Sequence, residues 1–131
     1  MITRMHSTTV LVGDQDEALR FYVGVLGWEK RADHTMGPMR WLTVAPRGAE
    51  TELVLGQPEV YEREAPDPAA TRLCGISLLT DDIDAAYEAL TAKGVNVKQP
   101  PEDMPWGDRA TWFTDPFGNE YFLVQQARGQ A

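Results

Sequence analysis

Runs of β-branched and apolar residues alternate along the chain with stretches whose apolar residues recur three and four positions apart. The first run, residues 8–12, predicts a β-strand. Asp14 follows with a side-chain oxygen suited to an N-cap, and one helical face carries the apolar residues Ala18, Phe21, Tyr22, Val25 and Leu26. Gly27 can end this helix, because glycine accepts the left-handed conformation of a C-cap. The pattern predicts a strand followed by an amphipathic helix.

The same plan returns in the second half of the chain. Residues 75–80 form another apolar run, Asp82 starts a second helix and Gly94 ends it. Three segments with strand character follow each helix, at 28–34, 39–45 and 52–56 in the first half and at 95–98, 109–114 and 120–126 in the second. The sequence therefore predicts an α+β fold in which a strand, a helix and three strands occur twice.

Proline and glycine mark the connections between these elements. Residues 115–119, Asp-Pro-Phe-Gly-Asn, have the chemistry of a turn and join the last two strands as a hairpin. Residues 57–72 carry three prolines and many charges, which predicts a linker with a short ordered piece near Tyr61. Because neither half buries a complete core alone, we expect one domain over 1–131: module one at about 1–56, the linker at about 57–72 and module two at about 73–128.

The net charge of the 131 residues is −8. An acidic surface repels phosphate backbones and anionic lipid headgroups, so we expect neither a nucleic acid nor a membrane as partner. The same charge attracts cationic ligands. No apolar stretch reaches transmembrane length, and the 43% of hydrophobic residues suffices for one buried core.

The chain has a single cysteine, Cys74, in an apolar run at 73–76. One cysteine cannot form a disulfide within the chain, which fits a reducing compartment, and we expect a cytoplasmic protein. The apolar neighbours favour a buried core thiol, with a nucleophilic role as the alternative.

Together, the duplicated plan and its motifs resemble the vicinal oxygen chelate superfamily, which includes glyoxalase I, bleomycin-resistance proteins and extradiol dioxygenases. The resemblance rests on Phe21-Tyr22 with Leu26-Gly27, on the helix start at 82–87 and on the hairpin at 115–119, and it covers nearly the whole chain. It implies two tandem βαβββ modules whose curled mixed sheets enclose a cleft, and it implies a homodimer.

In the enzymes of that superfamily the cleft holds one divalent metal, bound mainly by histidine and glutamate from the first and last strands of the modules. The resemblance places the corresponding positions at Ser7, Val54, Gly75 and Phe122. A serine hydroxyl is a poor neutral ligand, and the other three side chains offer no donor atom. We therefore predict no metal and no other cofactor.

Two residues keep an alternative open. A slip of one residue would bring His6 to the position of Ser7, although it would also turn the whole strand to its other face. Glu52 lies two residues before Val54 and shares its face of the strand. Because the second module would still contribute no ligand, a site rescued in this way would bind metal weakly. The other histidine, His34, is expected in a loop.

Aromatic residues indicate which side chains line the cleft in place of metal ligands. Trp41, Trp106, Trp112 and Phe122 fall on or beside the strands that would line it. They would form flat apolar walls for a planar or cationic molecule. Packing in the core or at an interface is the simpler explanation for Trp41 and Trp112. Arg109 would supply a polar anchor at the rim, with an ordinary solvated charge as the alternative.

We therefore expect a metal-independent small-molecule binding protein of the bleomycin-resistance type. Its ligand-binding residues would be Ser7, Trp41, Val54, Gly75, Trp106, Arg109, Trp112 and Phe122. A lyase, isomerase or dioxygenase of the same superfamily, with a shifted or absent metal site, is the alternative, and a structural dimer without a ligand is the third possibility. The modules would pair either within one chain or between two chains.

Overall fold

Both helices begin at the aspartates that the sequence singles out. In the computed structural model, which describes residues 1–127, the Asp14 carboxylate accepts the backbone N–H of Glu17 at 2.9 Å. The Asp82 carboxylate likewise accepts the backbone N–H of Ala85 at 3.1 Å. Each bond satisfies an amide that the first helical turn leaves unpaired, so both predicted N-caps are confirmed.

The chain divides after Pro68 into two compact units, and each unit contains one mixed sheet. The elements of the first unit are β1 Ser7–Leu11, α1 Gln15–Leu19, a π-helical segment Arg20–Val25, β2 Glu29–Met36, β3 Met39–Ala45, β4 Glu52–Gly56 and a 3₁₀ helix Pro58–Tyr61. The strands lie in the order β1-β4-β3-β2. The β1–β4 pair is parallel and the other pairs are antiparallel.

The second unit repeats this plan. Its elements are β5 Arg72–Leu79, α2 Ile83–Ala92, β6 Asn96–Val97, β7 Glu102–Asp103, β8 Arg109–Thr114 and β9 Asn119–Gln125. The strands lie in the order β5-β9-β8-β6, and β7 also pairs with β8. As in the first unit, the first strand is parallel to the last and the remaining pairs are antiparallel. The predicted α+β class and the repeated strand–helix–strands order are confirmed.

One face of each sheet carries the apolar core of its unit. Side chains alternate between the two faces along a strand, so every second residue points away from the core. The core side chains include Val10, Tyr22, Leu42, Val44 and Leu55 in the first unit and Ile83, Phe113, Tyr121 and Leu123 in the second. The opposite faces are therefore the ones on which a binding site can form.

The first predicted helix is not α-helical throughout. After α1 the chain continues in the π-helical segment, in which the Leu26 N–H donates to the Phe21 carbonyl, five residues earlier, at 2.9 Å. This wider turn lets the adjacent Phe21 and Tyr22 both be buried. Apolar periodicity predicts the extent of the helix, but it does not distinguish an α-turn from a π-turn.

Strand β5 begins three residues before the predicted start, at Arg72. The Arg72 guanidinium donates to the Phe117 carbonyl at 2.7 Å and to Asn119 Oδ1 at 3.1 Å, and the Arg72 N–H donates to the Gly118 carbonyl at 2.7 Å. These bonds join the end of the predicted linker to the 115–119 turn. These bonds extend the strand to Arg72. The sequence pattern places Arg72 in the linker, because it does not reveal hydrogen-bond partners that lie 45 positions or more away in the chain.

Other expectations need smaller corrections. His34 is not a loop residue, because it lies in β2 and pairs with Trp41. The two-residue strand β7 was not predicted, since Pro100 and Pro101 precede it. Residue 128, the predicted end of module two, lies outside the described residues. Within residues 1–127, no helix combines the length and the apolar character needed to cross a bilayer.

Candidate functional site

The first sheet brings Ser7, Trp41 and Val54 to one face. Ser7 pairs with Glu52 in the parallel β1–β4 ladder, and Glu52 and Val54 are two residues apart, so all three share a face. Thr43 pairs with Val54, which places Trp41, two residues before Thr43, on that face as well. This is the face opposite the helical core.

A shallow depression that encloses about 10 Å³, room for a single water molecule, lies on this face. Its lining includes Arg40, Trp41, Val54, Gly56, Val60 and Tyr61. Pockets that enclose a drug-sized ligand usually measure about 300–1,000 Å³. The depression is therefore at most part of one wall for such a ligand.

Tyr61 closes one side of the depression by packing directly on Gly56. A Cβ atom at Gly56 would lie 2.8 Å from Tyr61 Cε2 and 3.1 Å from Thr9 Cγ2, both closer than normal contact. Glycine is thus what lets the ring approach the end of β4. The sequence predicted order near Tyr61, but the signal for its contact is Gly56, which stands just before the 3₁₀ helix.

A Gly56→Ala substitution is expected to displace the Tyr61 ring and to change the depression more than the fold. Tyr61 is 37% exposed and has room to move, so the free energy of unfolding should fall by less than about 1 kcal/mol. The affinity for an aromatic ligand should fall by at least about threefold, because one wall moves. Thermal melts and ligand titrations measure the two effects separately.

Gly24→Ala is the matched control, because no atom lies within 4 Å of the position that its Cβ would take. We expect it to change neither quantity. Equal affinities for the Gly56→Ala variant and the unaltered protein would show that Tyr61 does not contact the ligand.

Arg40 lines the depression, but its charge is already satisfied. Its guanidinium donates to the two Asp33 carboxylate oxygens at 2.9 and 3.0 Å and to Asp16 at 2.8 Å. Hydrogen bonding to Arg40 is the main reason why the pKa of Asp33 falls to about 2. Arg40 therefore fixes one side of the depression and has little capacity left for an anionic ligand.

The second sheet brings Trp112 and Phe122 together on the face opposite its own core. They pair across β8 and β9, and their ring centroids lie 5.2 Å apart with planes tilted by 54°. Ser77 pairs with Phe122 and shares this face. Both rings are half-buried, so part of each is available for contact.

Gly75 lies in an irregular part of β5. The register with β9 shifts between Leu73 and Ser77, and Gly75 has a φ of 76°, in the left-handed region that glycine tolerates. A glycine inside a strand is the usual sequence signal for such a bulge. The bulge exposes backbone at the predicted ligand position and provides no side chain there.

Two predicted site residues are not part of this aromatic pair. Trp106 is 58% exposed in the turn after β7, and its ring N–H donates to Asp108 at 3.1 Å. Arg109 alternates with Thr111 and so lies on the core side of the sheet. Its guanidinium donates to both Asp84 oxygens, at 2.8 and 3.2 Å, which lowers the pKa of that carboxyl. Arg109 thus ties β8 to the start of α2.

The four positions that correspond to metal ligands do not supply a donor set for a divalent cation. Ser7 offers one neutral oxygen, and Val54, Gly75 and Phe122 offer none. The nearby Glu52 carboxylate accepts the Thr43 hydroxyl at 2.6 Å.

The alternative donor, His6, is exposed and contacts the Ser7 hydroxyl through Nδ1 at 3.1 Å. Among the described residues, no group of three or more His, Cys, Asp and Glu side chains is arranged to hold an ion. The chemistry of the described side chains therefore does not fit the metal of the related enzymes.

Cys74 is half-buried, and its thiol contacts the Glu120 carbonyl at 3.1 Å. Burial raises the pKa of this thiol. At neutral pH it is therefore protonated and a poor nucleophile, in keeping with a structural role.

Comparisons with known proteins agree with the fold. The sequence matches the profile of the Glyoxalase/Bleomycin resistance protein/Dioxygenase superfamily over residues 4–121. A solved member of that superfamily from Sphaerobacter thermophilus DSM 20745 is 51% identical, with a TM-score of 0.88 over 95% of this chain and 98% of its own. TnmS3, an antibiotic binding protein from Streptomyces sp. CB03234, is 38% identical, with a TM-score of 0.79 over 96% and 98% of the two chains. The uncharacterized protein YetH of Bacillus subtilis (strain 168) is 35% identical over 95% of this chain and all of its own.

Proposed function

This chain belongs to the Glyoxalase/Bleomycin resistance protein/Dioxygenase superfamily, and we propose that within it the protein binds a small aromatic molecule and does so without a metal. The observation that carries the proposal is the chemistry of the two sheet faces opposite the cores. The first face has a depression walled by Trp41, Val54 and Tyr61, and the second has the Trp112–Phe122 pair. Aromatic side chains of this kind suit a flat apolar ligand.

The similarity to TnmS3 supports a small-molecule ligand, since that protein is described as antibiotic binding and matches nearly the whole chain. The ligand-contacting residues that we propose are Ser7, Trp41 and Val54 on the first sheet, and Trp112 and Phe122 on the second, with backbone contact at Gly75. Trp106 and Arg109 remain predicted site residues, but their contacts with Asp108 and Asp84 make them weaker members of the set.

The proposal of metal independence rests on the donor atoms. A divalent cation needs several anionic or imidazole ligands, and the corresponding positions offer one hydroxyl. With no cation to act as a Lewis acid, the function that these residues support is binding rather than chelate chemistry. The net charge of −8 favours a cationic ligand at long range.

We also propose that the protein is a cytoplasmic homodimer. Strand β5 forms one edge of its sheet, and Leu73 and Leu79 on this strand are 69% and 65% exposed. Exposed apolar side chains on an edge strand favour association with another chain. The protonated, half-buried Cys74 thiol suits a reducing compartment.

Titration with anthracenemethanol, a neutral fused-ring alcohol, tests the proposed function. We expect saturable binding, seen as a rise in the fluorescence anisotropy of the probe. Dialysis against a chelator should change the dissociation constant by less than about twofold, because no cation takes part. Metal analysis of protein purified without chelator should find no stoichiometric metal. Near-stoichiometric nickel, zinc, iron or manganese, together with loss of binding after chelation, would favour the metal-enzyme alternative.

A further inference from the structure

Four side chains from neighbouring positions form one row across the face of the second sheet that carries Trp112. Trp112 pairs with Phe122, and Phe122 pairs with Ser77. On the other side, Lys98 directly follows β6, and its N–H donates to the Trp112 carbonyl at 2.8 Å. The row therefore runs from Lys98 through both rings to Ser77. At roughly 4.8 Å between strands, its outer Cα atoms are about 14 Å apart.

The ends of this row are polar and its middle is aromatic. The Lys98 ammonium nitrogen lies 5.5 Å from the centroid of the Trp112 ring, within the range of a cation–π contact. Lys98 and Ser77 are both exposed. A flat molecule in contact with the two rings would thus meet an ammonium group at one end and a hydroxyl at the other.

A cationic ligand suits this row poorly, because Lys98 already occupies the cation position over Trp112. Within the described residues, Lys98 forms no ion pair, so its charge is available to a ligand. Two carboxylates share this face, each one row away: Glu120 on β9, and Glu102, which pairs with Ala110 on the same edge of β8 as Lys98. Glu120 is two strands from Lys98, and among the described residues Glu102 forms no ion pair with Lys98 either, so neither carboxylate neutralises the ammonium group by contact.

The negative net charge of the chain does not reverse this preference. Interactions between exposed charges are largely screened beyond about 8 Å at physiological ionic strength. The groups in direct contact with a bound ligand therefore decide the sign of the charge that it carries. At this row the contacting charge is positive.

We propose that the ligand of the second sheet is an aromatic anion, a fused-ring carboxylate or phenolate. Its rings contact Trp112 and Phe122, its anionic group contacts the Lys98 ammonium, and a polar group at its far end reaches Ser77. This proposal rests on the proposed function and names the ligand class of the same site. It replaces the cationic preference suggested by net charge with a local anionic one.

Three probes with the same ring system and different charges test the proposal: anthracene carboxylate, anthracenemethanol and anthracenylmethylammonium. Binding to the intact protein is measured by probe anisotropy at physiological salt. The carboxylate should bind most tightly and the ammonium compound least. Lys98→Met should weaken carboxylate binding by roughly five- to tenfold, as for loss of a partly exposed charge-assisted contact, and should strengthen binding of the ammonium compound. Lys98→Arg should retain the preference.

Lys93→Met is the matched control, because it removes the same charge at the end of α2 instead of on this face. Equal effects of the Lys93→Met and Lys98→Met substitutions, or tighter binding of the ammonium probe to the unaltered protein, would overturn the anionic preference while leaving aromatic binding intact. Failure of all three probes to bind would instead reject the proposed function, and this inference with it.

Discussion

Replacing Asp115 with alanine is expected to remove about 3 kcal/mol from the free energy of unfolding. The Asp115 carboxylate is 4% exposed and accepts the backbone N–H groups of Phe117 and Asn119, both at 2.9 Å, and the Asn119 side-chain amide at 2.8 Å. Alanine would leave these buried donors without their acceptor. For a chain of this length, the midpoint of thermal unfolding should fall by about 10 °C, measured by circular dichroism.

Asp82→Ala is the control for this prediction, because it removes an exposed aspartate of the same unit. Asp82 caps α2 through its bond to Ala85, and its loss should cost about 1 kcal/mol. The loss of stability in Asp115→Asn should lie between those of the two alanine variants. The asparagine amide retains one acceptor oxygen, but its NH₂ group would face N–H groups that also need an acceptor. Similar melting points for the two alanine variants would show that burial of the 115–119 turn contributes little.

The second large effect is expected on binding. Trp112→Ala should weaken the binding of anthracenemethanol by about thirtyfold, or about 2 kcal/mol, which is typical of an aromatic residue at the centre of a binding surface. Trp112 is in the middle of the row between Lys98 and Phe122, so its removal also separates the remaining ring from the ammonium group. The dissociation constant is measured by probe anisotropy, with circular dichroism to verify the fold.

Two further tryptophan variants make this result specific. Trp28→Phe also removes one indole, but Trp28 packs on the buried Tyr22 at a centroid distance of 5.5 Å and not on either proposed binding face, so binding should be unchanged. Trp106→Ala tests whether the exposed turn after β7 takes part in binding. An affinity for Trp112→Ala equal to that of the unaltered protein would exclude the second sheet as the aromatic wall.

Much of the fold follows from local chemistry that the sequence displays. Asp14 and Asp82 mark the helix starts because a short acidic side chain satisfies free amides, and the 115–119 turn follows from its proline, glycine and asparagine. The early start of β5 does not follow, because the bonds of Arg72 to the 115–119 turn join residues that are far apart in the sequence. Local patterns predict elements, whereas tertiary hydrogen bonds set some of their ends.

The candidate site was predictable to a similar extent. Alternation along the strands indicates that Trp41, Val54, Trp112 and Phe122 can leave the core face, and the register shows that they do within each sheet. Lys98 could not be predicted as a site residue, because a single lysine after a short strand resembles an ordinary surface charge. Lys98 matters because it lies beside Trp112 in the row, and this position follows only from the pairing of β6 with β8.

The parallel pairing of first and last strands also bears on the order of folding. The β2–β3 and β8–β9 hairpins join neighbouring segments, so closing them costs little chain entropy. Strand β1 can pair only after β4 has been synthesised, and strand β5 can pair only after β9 has been synthesised. During synthesis, we expect the hairpins to form first and each unit to acquire its cooperative stability only when its final strand has left the ribosome.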